Sequence, residues 1–185
     1  MIFAKNKKTA ILLFMIFVFG ALAILGIIFL NPYPLKFKEE ITQISKKYGV
    51  EPSLVASMIN AESGFQETAK SSKGACGLMQ LMPSTARWLC EKQGQEFFEE
   101  NLFDATTNIN LGTYYLNYLL AKFESVETAI CAYNAGEGNV MLWLVNDKYT
   151  LDHKTIISTP YPETNAYLDK VMKGISVYQK KFKES

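Results

Sequence analysis

The feature that most constrains this chain is an uncharged apolar run of 22 residues near its N-terminus, from Thr9 to Leu30. A helix of this length is sufficient to cross the hydrocarbon core of a bilayer. Three lysines and no acidic residue precede the run, and such positive charge stays on the cytoplasmic side of a membrane. The pattern therefore predicts a cytoplasmic tail over residues 1–8, a single transmembrane signal-anchor over residues 9–30, and a remainder outside the cytoplasm.

A cleaved signal peptide is the alternative interpretation of the same run. Small residues at Ala21-Leu22-Ala23 are compatible with a cleavage site. The apolar stretch continues to Leu30, however, which makes it longer than the core of an ordinary signal peptide. Its length favours a retained anchor, and both interpretations predict that the following domain is exported.

The exported part, residues 31–185, carries no basic excess. It contains all 18 acidic residues and 16 of the 19 basic residues, which gives a formal charge of −2. Domains that bind nucleic acid usually show clustered positive charge, so nucleic acid is not expected as a partner. An uncharged or mixed-charge substrate fits this composition better, and a domain of this length can bury a hydrophobic core without cross-links.

Helical periodicity dominates the exported part, and no alternating strand pattern of useful length is present. We predict a linker over residues 31–36, followed by a mainly α domain over residues 37–185. Cap and stop residues predict helices at 37–48, 52–62, 83–92, 104–123, 125–136, 140–145 and 162–182, with a loop over 66–77.

Cysteine and histidine offer little catalytic or metal-binding chemistry in this sequence. Cys76, Cys90 and Cys131 are an odd set without the spacing of zinc ligands, and His153 is the only histidine. An exported domain could form one disulfide from these cysteines, but the favoured interpretation is that they are small thiols in the hydrophobic core. His153 stands in a polar stretch without apolar periodicity, which indicates an exposed loop, and no metal is expected.

Glu62 is the most informative residue of the sequence. It follows Val55, Met58 and Ile59 by seven, four and three residues, which places it on the apolar stripe of a helix. It also lies in the last turn, where the helix dipole disfavours an anion. Both effects should raise its pKa, as suits an acid that protonates a glycosidic oxygen. Spacing alone still favours a structural carboxyl that is satisfied by a lysine or by backbone donors.

Five short motifs occur in order along the exported part. They are Glu-Ser-Gly-Phe at 62–65, Ala-Lys-Ser at 69–71, Gly-Ala-Cys-Gly-Leu-Met-Gln-Leu-Met-Pro at 74–83, Ala-Tyr-Asn-Ala-Gly at 132–136, and Pro-Tyr-Pro-Glu-Thr at 160–164 with a tyrosine at 167. Each motif alone is weak, but the set resembles the soluble lytic transglycosylase family, whose domain is lysozyme-like and whose hydrolytic relatives are the goose-type lysozymes. The resemblance extends from about Phe37 to Tyr178. Together with the apolar run, it implies a mainly α, lysozyme-like domain on a single N-terminal transmembrane helix.

The resemblance also implies roles for individual residues. Glu62 corresponds to the single catalytic acid, which then acts as the base. The residues implied to bind the glycan substrate are Ser71, Gln80, Met82, Tyr133, Asn134 and Glu163. Structural explanations remain open for several of these, because a methionine is more often a core residue and both Asn134 and Glu163 suit helix ends.

The implied activity is cleavage of the β-1,4 bond between N-acetylmuramic acid and N-acetylglucosamine in peptidoglycan strands. The reaction uses neither water nor a cofactor and leaves 1,6-anhydromuramic acid ends. The expected partners are the glycan strands and, through residues 9–30, the cell membrane, while partners from an envelope or secretion machine are unknown. Two alternatives remain: a lysozyme-like muramidase that uses water, and a non-catalytic glycan-binding subunit of an envelope-spanning machine.

The chain departs from the family pattern at two positions. Asn165 stands where the family often has arginine directly after the Glu-Thr pair, so a contact made by that arginine would be missing on the acceptor side of the cleft. Cys76 stands where a small residue is common, and its thiol is small enough to fit.

Overall fold

The computed structural model of this chain describes residues 12–20 and 32–184. The chain divides into two compact units, Met1–Pro32 and Tyr33–Ser185. In the first unit residues 12–20 are helical, while the rest of the predicted anchor over 9–30, the predicted tail and the alternative cleavage site lie outside the described residues. Among the residues that are described, no helix has the length and hydropathy needed to cross a membrane.

The second unit is built from α-helices joined by loops, which confirms the prediction of a mainly α domain. Within residues 32–184 the only extended pairings are isolated β-bridges. The α-helices are α1 (Lys38–Tyr48), α2 (Pro52–Glu62), α3 (Pro83–Lys92), α4 (Ala105–Phe123), α5 (Val126–Ala135), α6 (Glu137–Leu144) and α7 (Pro162–Lys183), and a 3₁₀ helix (Glu99–Phe103) precedes α4.

The helix ends follow cap residues that are visible in the sequence. Gly49 ends α1 in the left-handed conformation, with φ 67°, and prolines open α2, α3 and α7 in their first turn. The Asp104 and Ser125 side chains cap α4 and α5 by accepting backbone N–H groups at 2.8 and 3.3 Å. The predicted positions of these helices are therefore confirmed to within a residue or two.

Two elements differ from the prediction. The 3₁₀ helix is not anticipated, because only Leu102 among its five residues is buried, and so short an element shows no periodicity. Helix α6 begins at Glu137, whereas the sequence predicts that it begins at Val140. Gly136, with φ 86°, both ends α5 and directly precedes α6, so the first turn of α6 contains the polar and glycine residues that usually indicate a loop.

The packing of α2 against α7 sets the position of Glu62. Every residue of α2 from Ser53 to Asn60 is buried. The Ser57 hydroxyl donates a hydrogen bond to the Val171 carbonyl of α7 at 2.7 Å. The two helices approach closely at Gly174, where a Cβ atom would overlap the Ser57 side chain. The C-terminal end of α2 therefore lies alongside the first half of α7.

The loop between α2 and α3 is irregular, as predicted for residues 66–77, but it is extensively hydrogen-bonded. Its central bridges pair Lys70 with Cys76 and Cys76 with Leu81. Gly77 adopts φ 77°, and a Cβ atom there would overlap the Asn108 amide and the Leu102 carbonyl. Only glycine fits this position without a rearrangement.

Buried Asn108 of α4 fixes the same loop by three hydrogen bonds. Its Oδ1 accepts from the Met79 backbone N–H at 2.7 Å, and its Nδ2 donates to the carbonyls of Cys76 at 3.0 Å and Leu102 at 2.7 Å. One side chain thus joins the loop to the 3₁₀ helix, and it adds a second hydrogen bond to the Cys76 carbonyl, which also accepts from the Leu81 N–H. These hydrogen bonds therefore fix the position of the loop between α2 and α3.

The cysteines and the histidine occupy the environments predicted for them. Cys76, Cys90 and Cys131 are free thiols and are buried, which confirms their interpretation as core residues. Burial raises the pKa of the Cys131 thiol to about 12. His153 is exposed, with its Nδ1 atom 2.9 Å from the Leu144 carbonyl oxygen, and its prediction as an exposed loop residue is confirmed.

Candidate active site

Glu62 is the last residue of α2 and is partly buried. Burial raises the pKa of its carboxyl group from 4.5 to about 7. Two neighbours on α7 oppose this effect, because the Tyr167 hydroxyl and the Lys170 ammonium both lower the pKa, while Glu163 raises it. Desolvation is the largest contribution, and it makes Glu62 a carboxyl group that is substantially protonated at neutral pH. The raised pKa predicted from the sequence is confirmed.

The two α7 neighbours of Glu62 stabilise its carboxylate form. Lys170 donates a hydrogen bond from Nζ to the Ala61 carbonyl at 3.0 Å, which holds its charge beside the end of α2. The Tyr167 hydroxyl is enclosed and has no hydrogen bond of standard geometry with any described residue, although it is near enough to Glu62 to lower the carboxyl pKa. Catalytic hydrogen bonds are often long before substrate binds. Tyr167 is therefore a donor available to the ionised carboxylate.

Tyr133 of α5 lies on another side of Glu62. Its hydroxyl donates to the Met79 carbonyl at 3.0 Å, which ties α5 to the loop before α3. Burial raises the pKa of this hydroxyl well above 10, and Glu62 and Tyr115 raise it further. Tyr133 therefore stays neutral near the carboxyl group and contributes to its desolvated surroundings.

Asn134 and Glu163 meet across a small cavity. The cavity has a volume of about 210 Å³ and is lined by Lys73, Asn134, Ala135, Tyr161, Glu163 and Thr164. The Asn134 Oδ1 atom accepts from the Thr164 hydroxyl at 2.8 Å, which joins α5 to the first turn of α7. Glu62 does not line this cavity, but Glu163 is near enough to raise the pKa of the Glu62 carboxyl group. The structure thus brings Tyr133 and Glu163 within electrostatic range of Glu62, and it places Asn134 beside Glu163.

Ser71 and Gln80 shape the loop before α3, and none of their hydrogen bonds reaches Glu62. The Ser71 Oγ atom accepts from the Ala75 N–H at 3.0 Å. The Gln80 Nε2 atom donates to the carbonyls of Ala69 at 3.1 Å and Gly77 at 2.8 Å. Gln80 has φ 47°, an uncommon conformation for a residue with a side chain. Both side chains therefore support the loop that forms the wall of the site.

Met82 is exposed, as is Glu163 among the other predicted residues. It is the N-cap residue of α3, and 40% of its surface is accessible. A methionine that belongs to the core would be enclosed, so the core interpretation of Met82 is wrong. Met79 differs, because it is fully buried and packs where a Cβ atom on Gly112 would overlap it.

Asn165 has a local structural role that an arginine could not fill. Its Oδ1 atom accepts from the Thr159 N–H at 2.8 Å, and its Nδ2 atom donates to the Thr159 carbonyl at 3.0 Å. This reciprocal pair closes the turn that leads into α7. The cation that acts on Glu62 is Lys170, one helical turn beyond Tyr167.

A comparison with known protein families identifies the family of this chain. The model of the transglycosylase SLT domain matches residues 39–156, a range that contains Glu62, Gln80 and the Tyr133-Asn134 pair. The chain belongs to the transglycosylase SLT domain family. In this SLT chain Tyr167 and its α7 neighbours lie beyond the matched range and complete the surroundings of Glu62.

Two named relatives of this SLT chain differ in their length. The soluble lytic murein transglycosylase of Salmonella typhimurium is 32% identical over an alignment of 151 residues, which covers 80% of this chain and 23% of that protein. The membrane-bound lytic murein transglycosylase C of Salmonella arizonae is 32% identical over an alignment of 169 residues, which covers 79% of this chain and 47% of that protein. The chain thus spans about a quarter of the soluble relative and about half of the membrane-bound one.

Solved structures of SLT proteins share the fold. The 70 kDa soluble lytic transglycosylase of Escherichia coli has a TM-score of 0.72 at 29% identity, over 80% of this chain and 25% of that chain. An inactive mutant of the Pseudomonas aeruginosa lytic transglycosylase Slt, with a glutamate replaced by glutamine, has the same TM-score of 0.72 at 29% identity, over 82% of this chain and 25% of that one. The lysozyme-like fold implied by the sequence motifs is confirmed.

Proposed function

We propose that this chain is a membrane-anchored peptidoglycan lytic transglycosylase in which Glu62 is the only catalytic acid and base. The observation that carries the proposal is the Glu62 carboxyl group, whose pKa is raised to about 7 by burial. A general acid works best when its pKa lies near the working pH. The inactive glutamate-to-glutamine mutant of the Pseudomonas relative supports a carboxyl group as the essential catalyst.

The first step is protonation of the glycosidic oxygen by Glu62. The bond between C1 of N-acetylmuramic acid and the bridging oxygen breaks, and the leaving sugar keeps the proton as its hydroxyl hydrogen. The acetamido group of the muramic acid residue stabilises the cationic C1 centre, as in substrate-assisted glycosidases. Glu62 is then a carboxylate, the form that Tyr167 and Lys170 stabilise.

The second step returns the proton to Glu62. The carboxylate removes the proton from the C6 hydroxyl of the same muramic acid residue, and the oxygen attacks C1 to close the 1,6-anhydro ring. Opposing influences on the carboxyl group suit this cycle, because Tyr167 and Lys170 favour the charged form, while burial and Glu163 favour the neutral form. Near pH 7 both forms are accessible, so one residue can serve as acid and base.

The glycan-binding roles implied by the motifs are part of the proposal. Tyr133 and Glu163 are near Glu62, and Asn134 lines a cavity together with Glu163. All three are proposed to contact the sugars on either side of the scissile bond. Met82 offers an exposed apolar side chain to a sugar ring. Ser71 and Gln80 are proposed to act mainly by holding the loop that forms the wall of the cleft.

A muramidase that uses water is the second candidate, and Glu163 is the observation that favours it. Hydrolysis of a glycosidic bond commonly uses two carboxyl groups, and Glu163 is close enough to raise the pKa of Glu62. The two candidates differ in their product, because an anhydro end is lighter than a hydrolysed end by one water.

Mass spectrometry of the muropeptides released from purified sacculi tests the proposal. The full chain, extracted from the membrane fraction, is expected to release muropeptides with 1,6-anhydromuramic acid ends. Products with ordinary reducing ends would identify a muramidase, and no release at all would favour the non-catalytic glycan-binding subunit. Recovery of the full chain from the soluble fraction would contradict the proposed anchor.

The proposed layout places the tail at residues 1–8, the anchor at residues 9–30, the linker at 31–36 and the SLT domain at 37–185. The anchor proposal rests on the charge and hydropathy of the sequence, and the name of the membrane-bound relative supports it. The domain would then act outside the cytoplasm, where peptidoglycan lies.

A further inference from the structure

A second cavity contains none of the residues implied by the motifs. Its volume is about 270 Å³, and it is lined by Ser84, Thr85, Trp88, Tyr115 and Glu137. These residues come from α3, α4 and the start of α6. Its size suits a single ring better than an extended chain.

Tyr115 connects this cavity to the surroundings of Glu62. Its ring centre lies 5.2 Å from that of Tyr133, and the Tyr133 hydroxyl responds to the charge of Glu62. Exposed Met82 stands two residues before Ser84, which lines the cavity. The contact between Tyr115 and Tyr133 therefore links the cavity to the surroundings of Glu62.

Trp88 gives the cavity a rigid aromatic surface. Its ring packs edge to face against Tyr115 at 6.2 Å and Tyr118 at 5.3 Å, and the Lys92 Nζ atom lies 5.0 Å from its centre. These contacts fix the indole before any ligand binds, which lowers the entropic cost of binding. A flat aromatic side chain with a polar edge suits a ligand with one apolar face and polar margins.

Glu137 supplies a hydrogen-bond acceptor at the margin of the cavity. Its Oε2 atom accepts from the Lys122 ammonium at 2.9 Å and from the Tyr118 hydroxyl at 3.2 Å. Within residues 32–184 no hydrogen bond to its Oε1 atom is found, so this oxygen can accept from a ligand hydroxyl or amide. The pairing with Lys122 also holds the carboxylate in place.

We propose that this cavity is a distal sugar subsite, in which Trp88 stacks on an N-acetylhexosamine ring and Glu137 accepts a hydrogen bond from it. The proposal rests on the proposed function, because its ligand is a more distant sugar of the same glycan strand. Binding energy from a distant sugar can be used at the reacting bond. Trp88 is therefore a specificity-determining residue that favours long glycan strands over short ones.

Tryptophan fluorescence tests the subsite directly, because the chain has two tryptophans. Trp143 is only 6% exposed and belongs to another cluster, so a ligand in the cavity should change the emission of Trp88 alone. The full chain carrying Glu62→Gln is titrated with N-acetylglucosamine oligomers of two to six sugars. A saturable change is expected with the longer oligomers, retained in Trp143→Phe and lost in Trp88→Phe.

Kinetics on sacculi give the second readout. Trp88→Ala is expected to lower kcat/KM by roughly tenfold, and Trp88→Tyr is expected to recover part of this loss. Phe98 is an exposed aromatic residue outside the cavity, so the control variant Phe98→Ala is expected to leave kcat/KM unchanged. Oligomer binding without a change in Trp88 emission, or a Trp88→Ala variant as active as the wild type, would overturn the subsite. A wild-type chain that releases nothing from sacculi would instead contradict the proposed function.

Discussion

Replacing Glu62 by glutamine should lower the release of muropeptides from sacculi by roughly a thousandfold, the scale expected for loss of a general acid and base. Glutamine keeps the size of the side chain but cannot donate a proton to the glycosidic oxygen. Release is measured by chromatography and mass spectrometry of soluble products. Glu67→Gln, at an exposed position of the following loop, is the matched control and should retain full activity.

The same substitution should not damage the fold, and its effect on stability depends on pH. The pKa of Glu62 is raised in the folded state from 4.5 to about 7, so the stability of the wild type is fully present below about pH 4.5 and decreases as the pH rises to about 7. The glutamine side chain does not ionise, so the Glu62→Gln variant does not lose stability over this pH range. At pH 8 the variant should be more stable by on the order of 3 kcal/mol, and at pH 4 the two proteins should unfold alike. A Glu62→Gln variant that cleaves sacculi normally would end the catalytic assignment.

Replacing Asn108 by alanine should have the largest effect on stability. The substitution removes three hydrogen bonds and leaves the Met79 N–H and the Leu102 carbonyl buried without that partner, while the Cys76 carbonyl still accepts from the Leu81 N–H. Each buried polar group left unsatisfied costs about 1–3 kcal/mol, so the free energy of unfolding should fall by about 4 kcal/mol. Urea unfolding of the full chain measures this change.

Asn110→Ala is the matched control for Asn108→Ala. Asn110 lies two residues further along α4, is partly exposed, and accepts from Lys47 and Tyr48. Its loss should cost about 1 kcal/mol or less, since water can replace its partners. Equal destabilisation by the two substitutions would contradict the role given to Asn108 in fixing the loop before α3.

Most helices of the domain could be predicted because their ends carry their own signals. Gly49, Asp104 and Ser125 act as caps through local geometry, which depends on neighbouring residues only. The start of α6 could not be predicted, because Gly136 usually indicates a loop and here joins two helices directly. Local signals thus failed where one residue serves two elements.

The candidate site could be predicted only in part. Glu62 is visible because its helical spacing places it on a buried face. Tyr167 and Lys170 reach it only through the packing of α2 against α7, which no local pattern reports. The cavity lined by Trp88 and Glu137 also forms only when three helices pack together, so no local pattern reports it. The hydrogen bonds of Gln80 to its own loop likewise depend on how that loop folds.

An NMR titration of the Glu62 side chain tests the central claim most directly, with Glu62→Gln used to assign the signal. A midpoint near pH 7 is expected in the wild type, with a decline of activity over the same pH range. A higher midpoint is expected in Tyr167→Phe, because a group that stabilises the carboxylate is removed. A midpoint near 4.5 in the wild type, the ordinary value for glutamate, would contradict the central claim.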